Sequence, residues 1–418
     1  MSLPGLPGLE DWALLAVLVL SGALVAYVYL GYPALLWVLA RLRPRPVAFG
    51  LVRPPVTFVV PAHDEEASIG AKIDDCLAQR YPPDRLEVVV VSDGSTDGTE
   101  AIVRGRAARD PRVRLLAVPR GGKALALNAG ARAARGEVLV LTDANALLAP
   151  EALVRLVEPF ADPEVGGVCG RKRHRPAGEG DATARGEGLY WRWEQWQKSL
   201  ESRIGSVYAA DGTLYAVRRS LYVPIAEPAQ ADDIAVSARV PLAGRRLLFE
   251  PAAVAWEEPP AEGRAELRRK VRVTNHSLRA LWNLGPRLWR SGFYSVELLS
   301  HKLLRHLLPF PLLALLVTNA ALVLRLAPGP EAAWSGALSG PAGTPGLLWP
   351  LLVLLLAAQG ALYALGLAGF LLRGTRAGGL PFLSIPYYFS MVNLAAFLGA
   401  LSVLRGVRPA LWTPRKGL

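Results

Sequence analysis

The run Val138-Leu-Val-Leu-Thr-Asp143-Ala-Asn145 constrains this chain more than any other stretch. Apolar and β-branched residues end abruptly in a carboxylate. A strand of a parallel sheet with both faces covered has this composition. The carboxylate then falls at the carboxyl edge of the sheet, where open α/β folds bind ligands. The preceding sequence repeats the pattern. Val56–Val60, Leu86–Val91 and Val113–Val118 predict strands. Between them, Ser68–Arg80, with Ile69, Ile73, Cys76 and Leu77 at helical spacing, Thr99–Ala108 and Ala124–Ala134 predict helices. Asp97 or a neighbouring hydroxyl is placed to cap the second of these. The βαβαβαβ order predicts a doubly wound α/β half-sheet. Further on, a helix is expected over Glu151–Phe160, a strand over Val165–Gly170 and a long helix over Leu189–Ser202. Ser206–Val217 reads as loop plus strand, Asp232 and Asp233 open a helix to Val240, and Arg245–Glu250 is a late strand.

The rest of the 418 residues is apolar in blocks. About 20 apolar residues in a helix cross a bilayer, and Trp12–Ala40, Leu303–Leu326, Leu347–Leu372 and Pro381–Leu404 meet that length. Glu10 and Asp11 precede the first block, and Arg41, Arg43, Arg45 and Arg53 follow it. The positive-inside rule then puts the amino terminus outside and the next domain in the cytoplasm. Arg41–Pro46 reads as a short stiff linker. Met1–Glu10 holds no Lys or Arg, so no cleavable signal is expected. Ala327–Gly346, also without Lys or Arg, is expected outside, and Arg373 and Arg376 inside. A third crossing by the last block leaves Arg405, Arg408, Arg415 and Lys416 outside, against the rule. A re-entrant segment started by Pro381 and Pro386 is the alternative; the reading leans to a full crossing. Glu262–Leu284 is a basic amphipathic helix, with Arg264, Arg268, Arg269, Lys270, Arg272 and Arg279, expected in the headgroup plane. The organisation is therefore a membrane helix and linker (1–45), an α/β domain (46–260), interfacial helices (261–300) and a membrane region of about three helices (301–418).

The net charge of +12 allows nucleic acid, anionic lipid or an anionic substrate as partner. No helix-turn-helix, zinc-finger or RNA-binding signature accompanies it, so no nucleic acid is expected. Cys76 and Cys169 form no motif and fit a reducing, cytoplasm-facing domain. Few polar residues interrupt the apolar blocks, chiefly Asn319, Gln359 and Asn393, too few to line a transport path. Trp191, Trp193 and Trp196 are read as packing or interfacial anchors, and His301, Lys302 and His306 as interface markers.

Acidic residues recur at strand ends and helix starts: Asp64-Glu65, Asp93, Asp143 and Asp232-Asp233. Together with Pro61-Ala-His-Asp-Glu-Glu66, Val91-Ser-Asp-Gly-Ser-Thr-Asp-Gly98, Gly122-Lys123, Ala126-Leu-Asn128, Thr142-Asp-Ala-Asn145, Gly212–Arg219 and Arg268–Arg272, they come in a characteristic order. Over about Val56–Leu284 the sequence resembles inverting glycosyltransferase family 2 with a GT-A fold. More narrowly it is similar to the membrane-bound bacterial poly-N-acetylglucosamine, hyaluronan and cellulose synthases. The resemblance implies a nucleotide sugar, UDP-linked by the family pattern, and a glycan or lipid-linked acceptor at the membrane. It implies Pro61, Ala62 and Glu65 in the nucleotide pocket, Asp93 on the uracil ring, and Asp143 on Mg²⁺ or Mn²⁺ with Asn145 in place of a second aspartate. A hard cation on one or two carboxylates plus phosphates is the usual magnesium arrangement. Lys123, after two glycines at a helix start, is a candidate for the diphosphate. Asp233 is the expected general base beside Asp232. Arg269 and Arg272 fall where processive synthases carry Gln-x-x-Arg-Trp, and Val273 stands in place of the tryptophan. A non-catalytic nucleotide-binding or scaffold component is the alternative that Asn145 and Val273 would fit.

Overall fold

The structure is a computed structural model that describes residues 8–174, 182–226, 230–257, 264–327 and 347–408. The glycine-rich loop after His174, the start of the expected Glu262 helix, most of Ala327–Gly346 and the tail with Arg415 and Lys416 lie outside the described residues.

Eight strands form one sheet: β1 (Val56–Ala62), β2 (Leu86–Asp93), β3 (Val113–Val118), β4 (Val138–Thr142), β5 (Leu147–Leu148), β6 (Val165–His174), β7 (Leu214–Arg218) and β8 (Arg246–Glu257). Their order is β3-β2-β1-β4-β7-β6-β8-β5. The first four are parallel, with Val59 opposite both Val89 and Leu141. This is the doubly wound half expected from the alternating strand and helix signals. Every residue of β1 and of β4 is buried, as a strand covered on two faces requires. Alternate residues serve different layers. Phe58 and Val60 join one core with Ile69, Ile73 and Val103, while Val59, Val89 and Leu141 join another with Leu127. β7 then enters antiparallel between β4 and β6. Its first residue, Leu214, pairs with Thr142, so the preceding loop is delivered to the carboxyl edge. β6 and β8 are each longer than expected, reaching His174 and Glu257, and pair parallel through two irregularities in register.

Among the described residues, three helices are long and apolar enough to cross a membrane: Leu9–Leu42, Leu348–Leu371 and Pro381–Leu404. The first continues through Arg41 to Leu42, so the linker begins later than expected. The expected Leu303–Leu326 block is not one helix. It is a pair, Phe293–Leu307 and Pro309–Arg325, bent by 53°. Pro309 has no N–H to donate and its ring crowds the preceding turn. The two ends of this bundle are distinguishable. Arg325 bonds Asp11 (2.6 Å) and Glu10 (2.9 Å), and Trp349 donates to the Val323 carbonyl. Phe310, at the opposite end of its helix, stacks 5.4 Å from Phe397.

That last contact bears on the final block. Phe389 and Phe397 of Pro381–Leu404 touch Tyr29 and Phe310. Tyr388, Gly399 and Ser402 touch the basic helix Arg264–Leu284: Lys270 Nζ donates to Tyr388 Oη (3.0 Å), Asn275 Nδ2 to Ser402 Oγ (2.7 Å), and a Cβ on Gly399 would fall 2.6 Å from Thr274 Cβ. The last helix therefore lies across the basic-helix end of the bundle, and Arg279 closes it by donating to Val407 O (2.9 Å). Arg405 and Arg408 directly follow this helix, which is itself long and apolar enough to cross a membrane. The basic helix is likewise packed along its length and is not a free surface helix.

Trp193 packs against Tyr29 of the first apolar helix, at 6.1 Å. His301 is buried, its Nδ1 2.5 Å from Glu201 Oε1 and its Nε2 3.2 Å from Glu194. Both belong to the joint between the α/β domain and the apolar helices.

The helix Lys123–Ala133 sits close on the sheet because Gly130 has no side chain. A Cβ there would collide with Val59 Cγ1 and lie 3.0 Å from Val91 Cγ2. Gly130→Ala is expected to cost about 1–3 kcal/mol through overpacking, read as a lowered melting temperature; an unchanged melting temperature would show that the helix shifts freely.

Candidate active site

The carboxyl ends of β1, β2 and β4 and the loop before β7 converge at one edge. Asp143 is the first residue after β4. Its Oδ1 lies 2.8 Å from Lys123 Nζ, and the same ammonium lies 3.1 Å from Asp232 Oδ2. The three side chains are 19–27% exposed. Gly212 adjoins them: a Cβ there would be 3.6 Å from Lys123 Nζ and 3.8 Å from Asp233 Cβ. The fold brings Asp143, Lys123, Asp232 and Asp233 together at this edge.

Local sequence explains each placement. Gly122 has φ +91°, a left-handed turn that glycine takes without strain and that aims Lys123 at the edge. Asp232 and Asp233 occupy the first turn of helix Asp232–Ser237, where carboxylates favour the positive helix end. That helix is set by the basic helix: Ala231 N–H donates to His276 O (3.1 Å) and Asn283 Nδ2 to Gln230 Oε1 (3.0 Å).

Lys72 is a participant that motif reading missed. It is fully buried, and its Nζ donates to Thr142 Oγ1 (3.0 Å) and Ala146 O (2.5 Å). Thr142 passes the chain on to Thr213 O (2.8 Å). Lys72 thus brackets the turn carrying Asp143 and Asn145. The available signal was a lysine on the apolar stripe of Ile69, Ile73 and Cys76.

The electrostatics separate the carboxylates. Burial raises the Asp143 pKa, Lys123 opposes that, and Glu257 and Asp232 add to it. Burial also raises Glu65, against its bond to Ser68, with Asp143 contributing. Lys123 loses hydration, but Asp143 and Asp232 outweigh that and hold it charged. Asp233 is pushed up to about 6, first by burial and then by Asp232, with Lys302 acting in the other direction.

Asp93 is completely buried. Its oxygens accept from Gly121 N–H (2.7 Å), Gly122 N–H (2.9 Å) and the Arg120 guanidinium. It clamps the loop that presents Lys123, so the expected uracil N–H would have to share the Asp93 oxygens with these donors. Pro61 and Ala62 end β1 beside Val91 and Ser92. Asp64 holds φ +51°, a conformation that Asp and Asn tolerate, and accepts Thr96 N–H (2.7 Å). Glu65 N–H donates to Thr99 Oγ1 (2.8 Å). Asp97 accepts Thr99 N–H (2.9 Å), the capping role expected of it. Arg269 lies on the basic helix with its guanidinium on both oxygens of Glu266 (2.7 Å each), and Arg272 is one turn before His276.

Among the described residues no three His, Cys, Asp or Glu side chains are grouped to hold a metal. The donor set at the edge is nevertheless hard oxygen: the Asp143 carboxylate, with the Asn145 amide two residues on. That suits Mg²⁺ or Mn²⁺ completed by substrate phosphates, not a closed protein cage.

Fold and edge together define a GT-A-like architecture. Residues 57–222 match the family model Glycosyl transferase family 2. The chain is 29% identical over 238 residues to the probable glycosyltransferase YdaM of Bacillus subtilis (strain 168), covering 52% of this chain and 54% of that one. It is 32% identical over 170 residues to an N-acetylglucosaminyltransferase of Rhizobium meliloti (strain 1021), 40% of each. A poly-beta-1,6-N-acetyl-D-glucosamine synthase of Staphylococcus aureus (strain COL) is 25% identical over 206 residues, 48% of this chain and 49% of the relative. The chain spans about half the length of the curated relatives it matches. Among solved structures, the mannosyltransferase PcManGT from Pyrobaculum calidifontis, in complex with GDP-Man and Mn²⁺, superposes with a TM-score of 0.64 at 28% identity, over 93% of this chain and 99% of that one.

Lys72→Met is expected to unseat the Asp143 turn. A buried hydrogen-bonded cation removed from its acceptors costs about 1–3 kcal/mol. The melting temperature should fall and donor affinity, measured by calorimetry, should weaken; unchanged donor affinity would show that Lys72 does not position the turn.

Proposed function

We propose that the chain is an inverting glycosyltransferase, moving a sugar from a nucleotide sugar to a hydroxyl of a glycan or lipid-linked acceptor. One observation carries this reading: Asp143 and Asp232 approach the same Lys123 ammonium from different elements at the carboxyl edge, with Asp233 next to Asp232. A leaving diphosphate and an attacking hydroxyl need such groups on two sides of one carbon. On the acceptor side, Asp233 takes the hydroxyl proton as the oxygen attacks. On the donor side, Lys123 is available to the diphosphate at a helix start. Asp143, with Asn145, would hold a divalent cation, which supplies charge neutralisation to the leaving diphosphate. Pro61, Ala62 and Glu65 line the base side, and Asp93 shapes it through Arg120–Gly122. Arg272, one turn before His276 on the basic helix, would pair with the diphosphate in this reading, and Arg269, engaged by Glu266, would support the helix that carries it.

The family pattern favours a UDP-sugar, while the solved relative holds GDP-Man. In the proposed layout Leu9–Leu42, the bent pair and Leu348–Leu371 cross a cell membrane, and residues 46–260 face the cytoplasm. The last helix lies along the cytoplasmic face, which places Arg373, Arg376, Arg405 and Arg408 on the positive side.

The test is nucleotide diphosphate release from purified protein with Mn²⁺, screened over UDP- and GDP-sugars. Asp143→Ala and Asp233→Asn should each lower turnover by about 10²–10⁴-fold, the range for a lost general base or an equivalent charge stabiliser. Absence of turnover with every donor would refute catalysis and leave a nucleotide-binding component.

Because Asp233 must be ionised to accept a proton, turnover should fall with unit slope as pH drops through about 6 and level off above it. Removing the neighbouring charge in Asp232→Asn lowers the Asp233 pKa, so the acidic limb should move to lower pH. A limb that stays in place would assign the proton acceptor elsewhere.

A further inference from the structure

A cavity of about 360 Å³ opens at the far side of the α/β domain, where the chain leaves the first apolar helix. Its walls include Arg45, Phe49, Ser199, Arg203, Phe249 and Glu250. None of these belongs to the carboxylate edge. The cavity is preformed by Arg246, which is 4% exposed. Arg246 Nη1 donates to Pro46 O (3.1 Å), Nη2 to Arg45 O and Ser202 O (3.0 Å each), and Nε to Gly205 O (3.0 Å). Arg45 N–H donates to Arg203 O (2.8 Å). One buried guanidinium thus staples the linker to the end of helix Ala182–Ile204.

The charges on its rim are available. Arg203 is exposed and, among the described residues, no carboxylate lies within 4.0 Å of its guanidinium. Arg45 pairs only with Glu164, at 2.9 Å with both side chains more than half exposed, a contact of little strength. Glu250 Oε1 accepts Ala252 N–H (2.8 Å), which commits that oxygen to the wall. Apolar side chains beside the cavity face outward: Leu42, Phe49 and Leu51 are 73%, 61% and 85% exposed. Arg41 stacks 3.7 Å over Trp37 in the preceding turns. Arginine, tryptophan and exposed leucine at the end of an apolar helix mark a headgroup layer. Arg45 is three residues beyond Leu42, at most about 10 Å of chain. The headgroup layer is about 5–8 Å deep on each side, so the rim lies within its reach.

We propose that this cavity binds one anionic glycerophospholipid, its phosphate paired with Arg203 and Arg45 and its glycerol end against Phe49 and Phe249. The inference rests on the reading that Leu9–Leu42 crosses the membrane. Arginine forks suit a phosphate oxygen pair, and the rigid wall spares the ordering cost of binding.

Full-length protein in detergent, titrated with dioleoylphosphatidylglycerol and observed by native mass spectrometry, tests it. Wild type should retain one lipid, with dioleoylphosphatidylcholine retained at least tenfold less. The pair Arg45→Gln and Arg203→Gln should weaken retention at least tenfold. The pair Arg104→Gln and Arg109→Gln, on and just after the helix Thr99–Ala107, should keep it. Nucleotide diphosphate release from soluble donor should be unchanged in both pairs. Equal retention by the Arg45/Arg203 pair, or equal loss by the control pair, overturns the site, the latter because diffuse charge would then explain binding. Recovery of the protein in the soluble fraction of cells would refute the membrane reading itself, and the site with it.

Discussion

The arrangement depends on a single ammonium between two carboxylates. Lys123 lies 2.8 Å from Asp143 and 3.1 Å from Asp232, so the two acidic oxygens are at most about 6 Å apart. At that separation two unit charges repel by about 3 kcal/mol at an effective dielectric constant of about 20. Without a cation between them, the end of β4 and the start of the Asp232 helix could not both keep ionised groups at this edge. Lys123 is aimed there by the turn at Gly122, and that turn is clamped by the buried Asp93. Lys72 holds the other side of the Asp143 turn. Lys123 and Asp143 are therefore each presented by a turn that a buried charged side chain holds in place.

The same logic governs the joint with the apolar helices. Glu201 accepts Tyr32 Oη (2.6 Å) from the first apolar helix and His301 Nδ1 (2.5 Å) from the bent pair. Glu194 meets Tyr208 Oη (2.7 Å) and the Arg305 guanidinium. Buried ion pairs contribute little net stability, but losing one partner costs about 3–5 kcal/mol. Such a cluster specifies how two bodies dock more than it strengthens them. Here it fixes helix Ala182–Ile204 against the apolar helices.

The parallel half of the sheet was legible because buried strands and amphipathic helices leave period-specific patterns, and Asp143 was legible because a strand that stops in a carboxylate is rare in a core. The Asp97 cap was legible for the same local reason. What failed to show were pairings between distant positions. The partners of Lys123, the buried Lys72, the insertion of β7 between β4 and β6, and the stacking of Gly399 on Thr274 have no periodicity to announce them. The packing of the last helix was hidden for a related reason: hydropathy measures length and apolarity, which Pro381–Leu404 has, whereas Phe389, Phe397 and Ser402 determine what it packs against.

That placement gives the acceptor side its character. The Asp232-Asp233 helix is bonded to the basic helix through His276 O and Asn283, and the basic helix is bonded to the last helix through Tyr388 and Ser402. The base-bearing turn is thus two helices removed from an apolar surface, while the Asp143 turn is anchored in the sheet by Lys72. Donor-side groups are held by the rigid parallel strands, and acceptor-side groups by elements that continue into the apolar helices. On the proposed function, an acceptor reaching Asp233 would approach from the helix side and a diphosphate leaving Asp143 would depart over the sheet edge, so the two substrates need not share a path.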